Sequence, residues 1–278
     1  MILVAAVAGL ATVQDAGRPG HMHEGVPPGG PLVPELLGRA NAAVRNRVGE
    51  AGLEVFGTVT LAASGGPVLL ATDDGTPHEL QPGMSWTASS AGARVRYVAV
   101  RGGIDVPVAL GGRGTLLVAG LGGHEGRPLR RGDRLPLGIG PPCDRVLPAA
   151  PDLTGPVPVV LGPDVDCFDA ATVDLLRSAT FLVDPRSDRV GVRLSGPALR
   201  RMPASRHDEA STPMVRGAIQ VPPSGAPIVL GPDHPTTGGY PVIATVTRAA
   251  FGALTARTPG APVCFTFVMF AGDRTPSP

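Results

Sequence analysis

The chain contains no lysine, so all 24 of its basic residues are arginine. That absence removes several chemistries at once. There is no Walker A lysine to reach a nucleotide phosphate, no Schiff-base lysine and no attachment point for a biotin. A serine amidase built on a Ser–Ser–Lys triad is excluded for the same reason, and no G-x-S-x-G elbow is present. Aromatics are scarce, with seven Phe, two Tyr and one Trp, too few for a platform that stacks nucleic-acid bases. The formal net charge of +1 gives no general attraction to nucleic acid or to an anionic membrane. Cys143, Cys167 and Cys264 are odd in number and show no C-x-x-C spacing. That argues against a disulfide framework or a zinc site and suits a reducing cytoplasm. No apolar run of about 18 residues occurs, so nothing reads as a membrane-spanning helix. The apolar start, Met1 to Leu10, lacks a basic leading segment and reads as a first strand.

Glycine (39) and proline (32) are abundant. They punctuate short Val/Ile/Leu runs, which is the pattern of an all-β protein rich in turns. Expected strands are Leu53–Val55, Val59–Ala62, Val68–Ala71, Trp86–Ala88, Val95–Val100, Val157–Leu161, Thr180–Val183 and Val263–Phe270. Three helices are expected: Pro34 to about Asn46, about Phe168 to Ala179 with Asp166 as its cap, and Ala249 to Arg257. The proline-rich segment 141–154 reads as a linker between a first domain, 1–140, and a second, 155–278.

Polar residues cluster in three places. The loop Gln14 to Pro28 carries Gln14, Asp15, Arg18, His21, His23 and Glu24. His21 and His23 would share one face of a strand and approach Glu24, but a third protein ligand for a metal cannot be named, so no metal site is assigned. A second cluster holds Arg101, Arg113 and Thr115, where planar guanidinium groups suit a carboxylate or phosphate. The third, Gly217 to Val246, is strand, turn, strand, polar loop and strand, displaying Gln220, Asp233, His234, Thr236, Thr237, Gly238, Gly239 and Tyr240. A loop so dense in hydrogen-bonding groups, held by rigid strands, is where function concentrates. The kit fits a small polar amide or carboxylate, with arginine as anion clamp and Asp or His for proton transfer.

A family resemblance adds to this reading. Thr12-Val-Gln-Asp-Ala-Gly-Arg-Pro-Gly20, Arg39-Ala-Asn41, Gly102-Gly-Ile-Asp-Val-Pro107, Gly217-Ala-Ile-Gln-Val-Pro222 and Thr236-Thr-Gly-Gly-Tyr-Pro241 stand in the order seen in one family. The chain resembles the biotin-dependent carboxyltransferase-type family, also known as allophanate hydrolase subunit 2 or the C-type component of 5-oxoprolinase. The resemblance implies a mainly β protein of two tandem cyclophilin-like β-barrel domains with a few short helices. It implies a B-type partner (the allophanate hydrolase subunit 1 family) and an A-type one, acting together in ATP-dependent opening of 5-oxoproline to glutamate. In the urea carboxylase relatives, the paired domains move a carboxyl group from carboxybiotin to urea. A non-catalytic regulatory partner of the B-type protein is a third possibility.

On this basis Asp15, His23, Asp233 and Tyr240 are expected to be catalytic. Gln14, Arg18, Arg113, Thr115, Gln220, Thr236, Thr237, Gly238 and Gly239 are expected to bind substrate. The two loops, Gln14–Pro28 and Gly217–Val246, would form opposite halves of one site. No cofactor is expected to be carried covalently. Two places depart from the family pattern: Gly29-Gly-Pro-Leu-Val33 replaces a Ser-Gly-Ala-Met-Asp element, and Gly111-Gly-Arg-Gly-Thr-Leu116 replaces Gly-Ser-Arg-Ser-Thr-Asp.

Overall fold

The computed structural model describes residues 1–144, 146–202 and 211–268. Two compact units divide the chain, Met1–Pro151 and Asp152–Pro278. Both are built mainly of strands whose sheets curl, one into a half-barrel and the other into a nearly closed barrel.

The first unit runs β1 (Ile2–Gln14), α1 (Pro34–Ala43), β2 (Gly52–Ala63), β3 (Val68–Thr72), β4 (Pro77–Leu80), β5 (Ser85–Ser89), β6 (Arg96–Val100) and β7 (Arg134–Leu135). The sheet order is β4-β3-β6-β2-β1-β7, with β5 also on β2. The runs 53–55 and 59–62, expected as two strands, form one long strand. It pairs with β1 throughout but changes partner on its other edge: Leu53–Val55 face β6 and Thr58–Ala62 face β5. The change of partner falls at Gly57, paired with Gly9 at φ +109° and +102°. A Cβ on either glycine would sit 2.1 Å from a carbonyl oxygen of the opposite strand. Only glycine permits this approach, and the bend it allows is what curls the sheet.

The other edge of β1 takes scattered partners. Val13 O receives Thr115 N–H at 2.8 Å, Ala11 O receives Leu129 N–H at 2.8 Å, and Ile2–Leu3 pair with β7. Inside lie Val4, Val13, Leu53, Val55, Leu61, Leu70, Val98 and Val100, all essentially solvent-free. The helix α1 stops at Ala43, short of Asn46, because Arg45 adopts a left-handed φ of +57°. Asn46 is instead recruited as a clamp, donating to Asn41 Oδ1 (3.0 Å) and Val100 O (2.7 Å). The Asp73-Asp74-Gly75 turn joins β3 to β4, the latter a strand the periodicity did not reveal.

The second unit runs β8 (Val157–Leu161), α2 (Ala170–Ser178), β9 (Phe181–Val183), β10 (Gly191–Ser195), β11 (Thr212–Pro213), β12 (Ala218–Gln220), β13 (Ile228–Leu230), β14 (Thr237–Gly238), β15 (Val242–Val246), α3 (Phe251–Thr255), β16 (Pro262–Val263) and β17 (Phe265–Phe267). The eight-stranded order is β16-β9-β10-β13-β12-β15-β8-β17, while β11 and β14 pair separately. Asp169, not Asp166, caps α2: its Oδ1 accepts Thr172 N–H at 2.8 Å, and Asp166 lies in the preceding single turn. The final expected strand breaks at Cys264 into β16 and β17; Met269 and Phe270 lie outside the described residues.

Candidate functional site

In the first unit, the loop after β1 is folded on its own backbone and on the segment 112–115. Asp15 is the organiser. Its Oδ1 accepts the N–H of Gly17 (2.9 Å) and of Gly114 (3.0 Å), and its Oδ2 accepts that of Arg113 (2.5 Å). Three backbone donors occupy both oxygens, so its contacts are those of a group that fixes the loop rather than one that shuttles protons. Arg18 is 2% exposed and donates to the carbonyls of Ala109 (3.3 Å) and Gly114. Thr115 gives its hydroxyl to Val13 O at 3.0 Å.

Gln14 donates to Thr115 O at 3.0 Å and Thr12 Oγ1 at 3.3 Å, while its Oε1 is buried without a partner among the described residues. The approach is close because Gly112 and Gly114 are bare. A Cβ on Gly114 would sit 2.8 Å from Gln14 Oε1, and one on Gly112 would sit 2.7 Å from Gly17 O.

The first-unit arginines singled out from the sequence serve structure. Arg113 donates to Val106 O and pairs with Asp105 at 2.9 Å. Arg101 ties the end of α1 through Val44 O (2.9 Å) and Arg45 O (2.8 Å). His23 and Glu24 sit on a single helical turn, with His21 just before it, and not on a strand. His21 Nδ1 is 2.9 Å from Glu24 Oε2, and His23 is exposed with Nε2 3.6 Å from Glu24 Oε1. Among the described residues, no group of three or more His, Cys, Asp or Glu could hold a metal.

The base of this loop is pinned by a buried pair the sequence reading missed. Glu54 on β2 accepts Leu32 N–H at 2.8 Å and the hydroxyl of Tyr97 on β6, which in turn accepts Val33 N–H at 2.9 Å. Alternation alone would have placed Glu54 outward. It does lie on the face opposite Leu53 and Val55, beside its cross-strand neighbour Tyr97, and is buried because the solvent-free Leu32 and Val33 cover that face.

In the second unit, Gln220 at the end of β12 donates to Tyr240 O (3.3 Å) and Met214 Sδ (3.0 Å). Thr237 and Gly238 form β14, and Thr236 O accepts Met214 N–H at 3.0 Å. A Cβ on Gly238 would meet Gln220 Nε2 at 2.8 Å, so the glycine lets β14 close over that amide. Gly239 and Tyr240 are exposed. Asp233 is not a lone acid. Arg189 grips it bidentately, Nε to Oδ2 at 2.7 Å and Nη2 to Oδ1 at 2.9 Å, with both side chains nearly fully buried.

Beside it, His234 is 0% exposed; Nδ1 lies 2.8 Å from Pro235 O, and Nε2 is buried without a partner among the described residues. A carbonyl only accepts, so Nδ1 carries the proton and Nε2 is the bare nitrogen. Burial pushes this imidazole below its ordinary value of 6.5, and the charge of Arg216 adds to that. The site thus holds Arg189, His234 and Arg216 beside the expected Asp233, and no spacing signal in the sequence links them.

These barrels and loops are those of a known group of proteins. The model of the carboxyltransferase domain, subdomains A and B, matches residues 24–267. The chain belongs to that family. It is 34% identical to the C-type component of 5-oxoprolinase from Escherichia coli (strain K12), over 91% of this chain and 87% of that protein. It is 29% identical to the urea amidolyase of Lachancea kluyveri over 95% of this chain but only 17% of that enzyme. Among solved structures, the Kluyveromyces lactis urea carboxylase superposes with a TM-score of 0.85 at 27% identity, covering 96% of this chain and 27% of the other. This family member therefore spans a fraction of the urea-converting enzymes and nearly the whole of the Escherichia coli protein.

Proposed function

We propose that this chain is the C-type component of a 5-oxoprolinase, part of a complex that opens 5-oxo-L-proline to L-glutamate with ATP. The observation that carries this reading is the nearly end-to-end match to the Escherichia coli protein. The partners in this reading are a B-type protein and an A-type protein. The ATP is not bound through a lysine of this chain, which has none. The part assigned to this chain is substrate binding and orientation. Asp15, Arg18 and Arg113 hold the first-unit loop in one conformation and leave Gln14 as its amide group. The second unit supplies the Gln220–Tyr240 loop and the arginine-rich end of its barrel.

The test is to assemble the chain with its B- and A-type partners and measure ATP hydrolysis dependent on 5-oxoproline, together with glutamate release. A fully assembled complex without turnover overturns the reading. The structural likeness to urea carboxylase supports a second reading, carboxyl transfer from carboxybiotin to urea. Carboxylated urea formed only when a biotinylated carrier is added would select it. Tight partner binding with neither activity would leave a regulatory role.

A further inference from the structure

One end of the second barrel gathers charge around Asp233 and His234. Gly191 pairs with Leu230, Gly217 N–H donates to Leu230 O at 2.8 Å, and Val246 N–H donates to Gly217 O at 2.9 Å. These contacts bring the start of β10, the turn before β12, the end of β13 and the end of β15 to one level. Just beyond those ends lie Arg189, Arg216, Asp233 with His234, and Arg248 followed by Phe251. Asp233 is already bound by Arg189 through both oxygens, so that pair is close to neutral.

Arg216 is in a different position. Its guanidinium lies over the Phe251 ring, 5.5 Å from the centroid, and no carboxylate among the described residues is within ion-pair distance of it. Half-buried, it lies in the fields of two like charges, Arg189 and Arg248, and of Asp233. Burial and the two arginines destabilise its protonated form. A cation in such company attracts an anion, and the ring beneath it limits where its guanidinium can lie. The second observation is His234, whose Nε2 lone pair is enclosed in protein with nothing to accept from. Buried polar atoms without partners are rare, and each asks for an explanation.

We propose that Arg216, seated on Phe251, binds the carboxylate of a small ligand, with the unpartnered Nε2 of His234 accepting an N–H of that same ligand. A guanidinium fork pairs bidentately with carboxylate and phosphate alike, so the choice of a carboxylate follows the acid group of the proposed substrate class. A carboxylate with a neighbouring amide N–H satisfies both unpartnered groups. This deepens the proposed function by assigning a place to the acid group of its substrate class, and it rests on that reading for the choice of 5-oxoproline as probe.

The test uses the assembled complex carrying Arg216→Gln and, separately, Arg216→Lys. Loss of one charge-assisted pair predicts a fall in kcat/KM for 5-oxoproline of roughly 10- to 100-fold, falling chiefly on KM, with Lys recovering part of it. A KM within about twofold of wild type for Arg216→Gln overturns the site and leaves the proposed activity standing. If the wild-type complex is itself inert, the activity fails but the site is still testable. Calorimetric titration of the full chain with acetate and with inorganic phosphate then decides. Acetate binding lost in Arg216→Gln, with the fold intact by circular dichroism, supports the carboxylate site. Equal heats in the two proteins, or a preference for phosphate, overturns it.

Discussion

Arg189 and Asp233 meet through two parallel hydrogen bonds of 2.7 and 2.9 Å, with both side chains almost fully buried. An aspartate so held is a structural anion. Replacing it by asparagine leaves the guanidinium in place without that charge, and breaking a buried pair costs about 3 kcal/mol or more. Asp233→Asn is therefore expected to lower the denaturation midpoint of the second unit markedly. A variant as stable as wild type, yet inactive in the assembled complex, would return Asp233 to a chemical role.

His234 gives a pH signature. Its folded-state value is lowered from 6.5 chiefly by burial, so below about pH 6.5 the unfolded chain binds the proton more readily. The stability it confers is present above about pH 6.5 and is lost as the pH falls toward the lowered value. Urea midpoints followed by circular dichroism should decline as the pH falls below about 6.5 in wild type. In His234→Phe they should be flatter. Parallel slopes in the two proteins would show that His234 is not the titrating group; carboxylates such as Asp133, held down by Arg127, act at lower pH.

Tyr97 supplies the hydroxyl that receives Val33 N–H and donates to Glu54. Tyr97→Phe keeps the ring and deletes that link, leaving a buried N–H without its acceptor. The expected cost is about 1–3 kcal/mol. Hydrogen exchange at Val33 should quicken by more than the global change in stability accounts for. Unchanged protection there would count against the pin at the loop base.

Gly114 tests how closely the first-unit loop can be packed. Its missing Cβ would lie 2.8 Å from Gln14 Oε1 and 3.1 Å from Asp15 Oδ1, so a side chain overpacks the site at about 1–3 kcal/mol. Serine also offers a donor to the unpartnered Gln14 Oε1, worth about 1 kcal/mol. The expected order of stability is wild type, then Gly114→Ser, then Gly114→Ala, measured by urea denaturation. Equal values for Ser and Ala would mean that Gln14 Oε1 gains nothing from a local donor.

Much of the fold was legible. Val/Ile/Leu runs bounded by Gly and Pro located most strands, and Pro34 located the start of α1. What escaped depended on distant partners. The runs 53–55 and 59–62 join into one strand because Gly57 bends against Gly9, which local pattern cannot show. Glu54 is buried on the outer face of its strand because Leu32, Val33 and Tyr97 cover it there. Within the candidate site, the sequence named Asp15, Arg18 and Asp233 but not their partners Gly114 and Arg189, which lie 44 to 99 residues away. Arg113 and Arg101 are equally good anion clamps on paper; carbonyls and Asp105 occupy them in the fold. Arg216 carried no signal, since an arginine before a glycine turn is unremarkable until Phe251 lies beneath it.

The scattered partners of β1 set an order of assembly. Along one edge, β1 is complete as soon as β2 exists. Along the other, it waits for Thr115, Leu129 and β7. During synthesis, whatever precedes Met1, that second edge stays open until the stretch through Leu135 has left the ribosome. An open strand edge is a template for mispairing with other chains. The Gln14–Asp15 corner is thus among the last parts of the first unit to form, and chains halted before Thr115 should be the ones that aggregate.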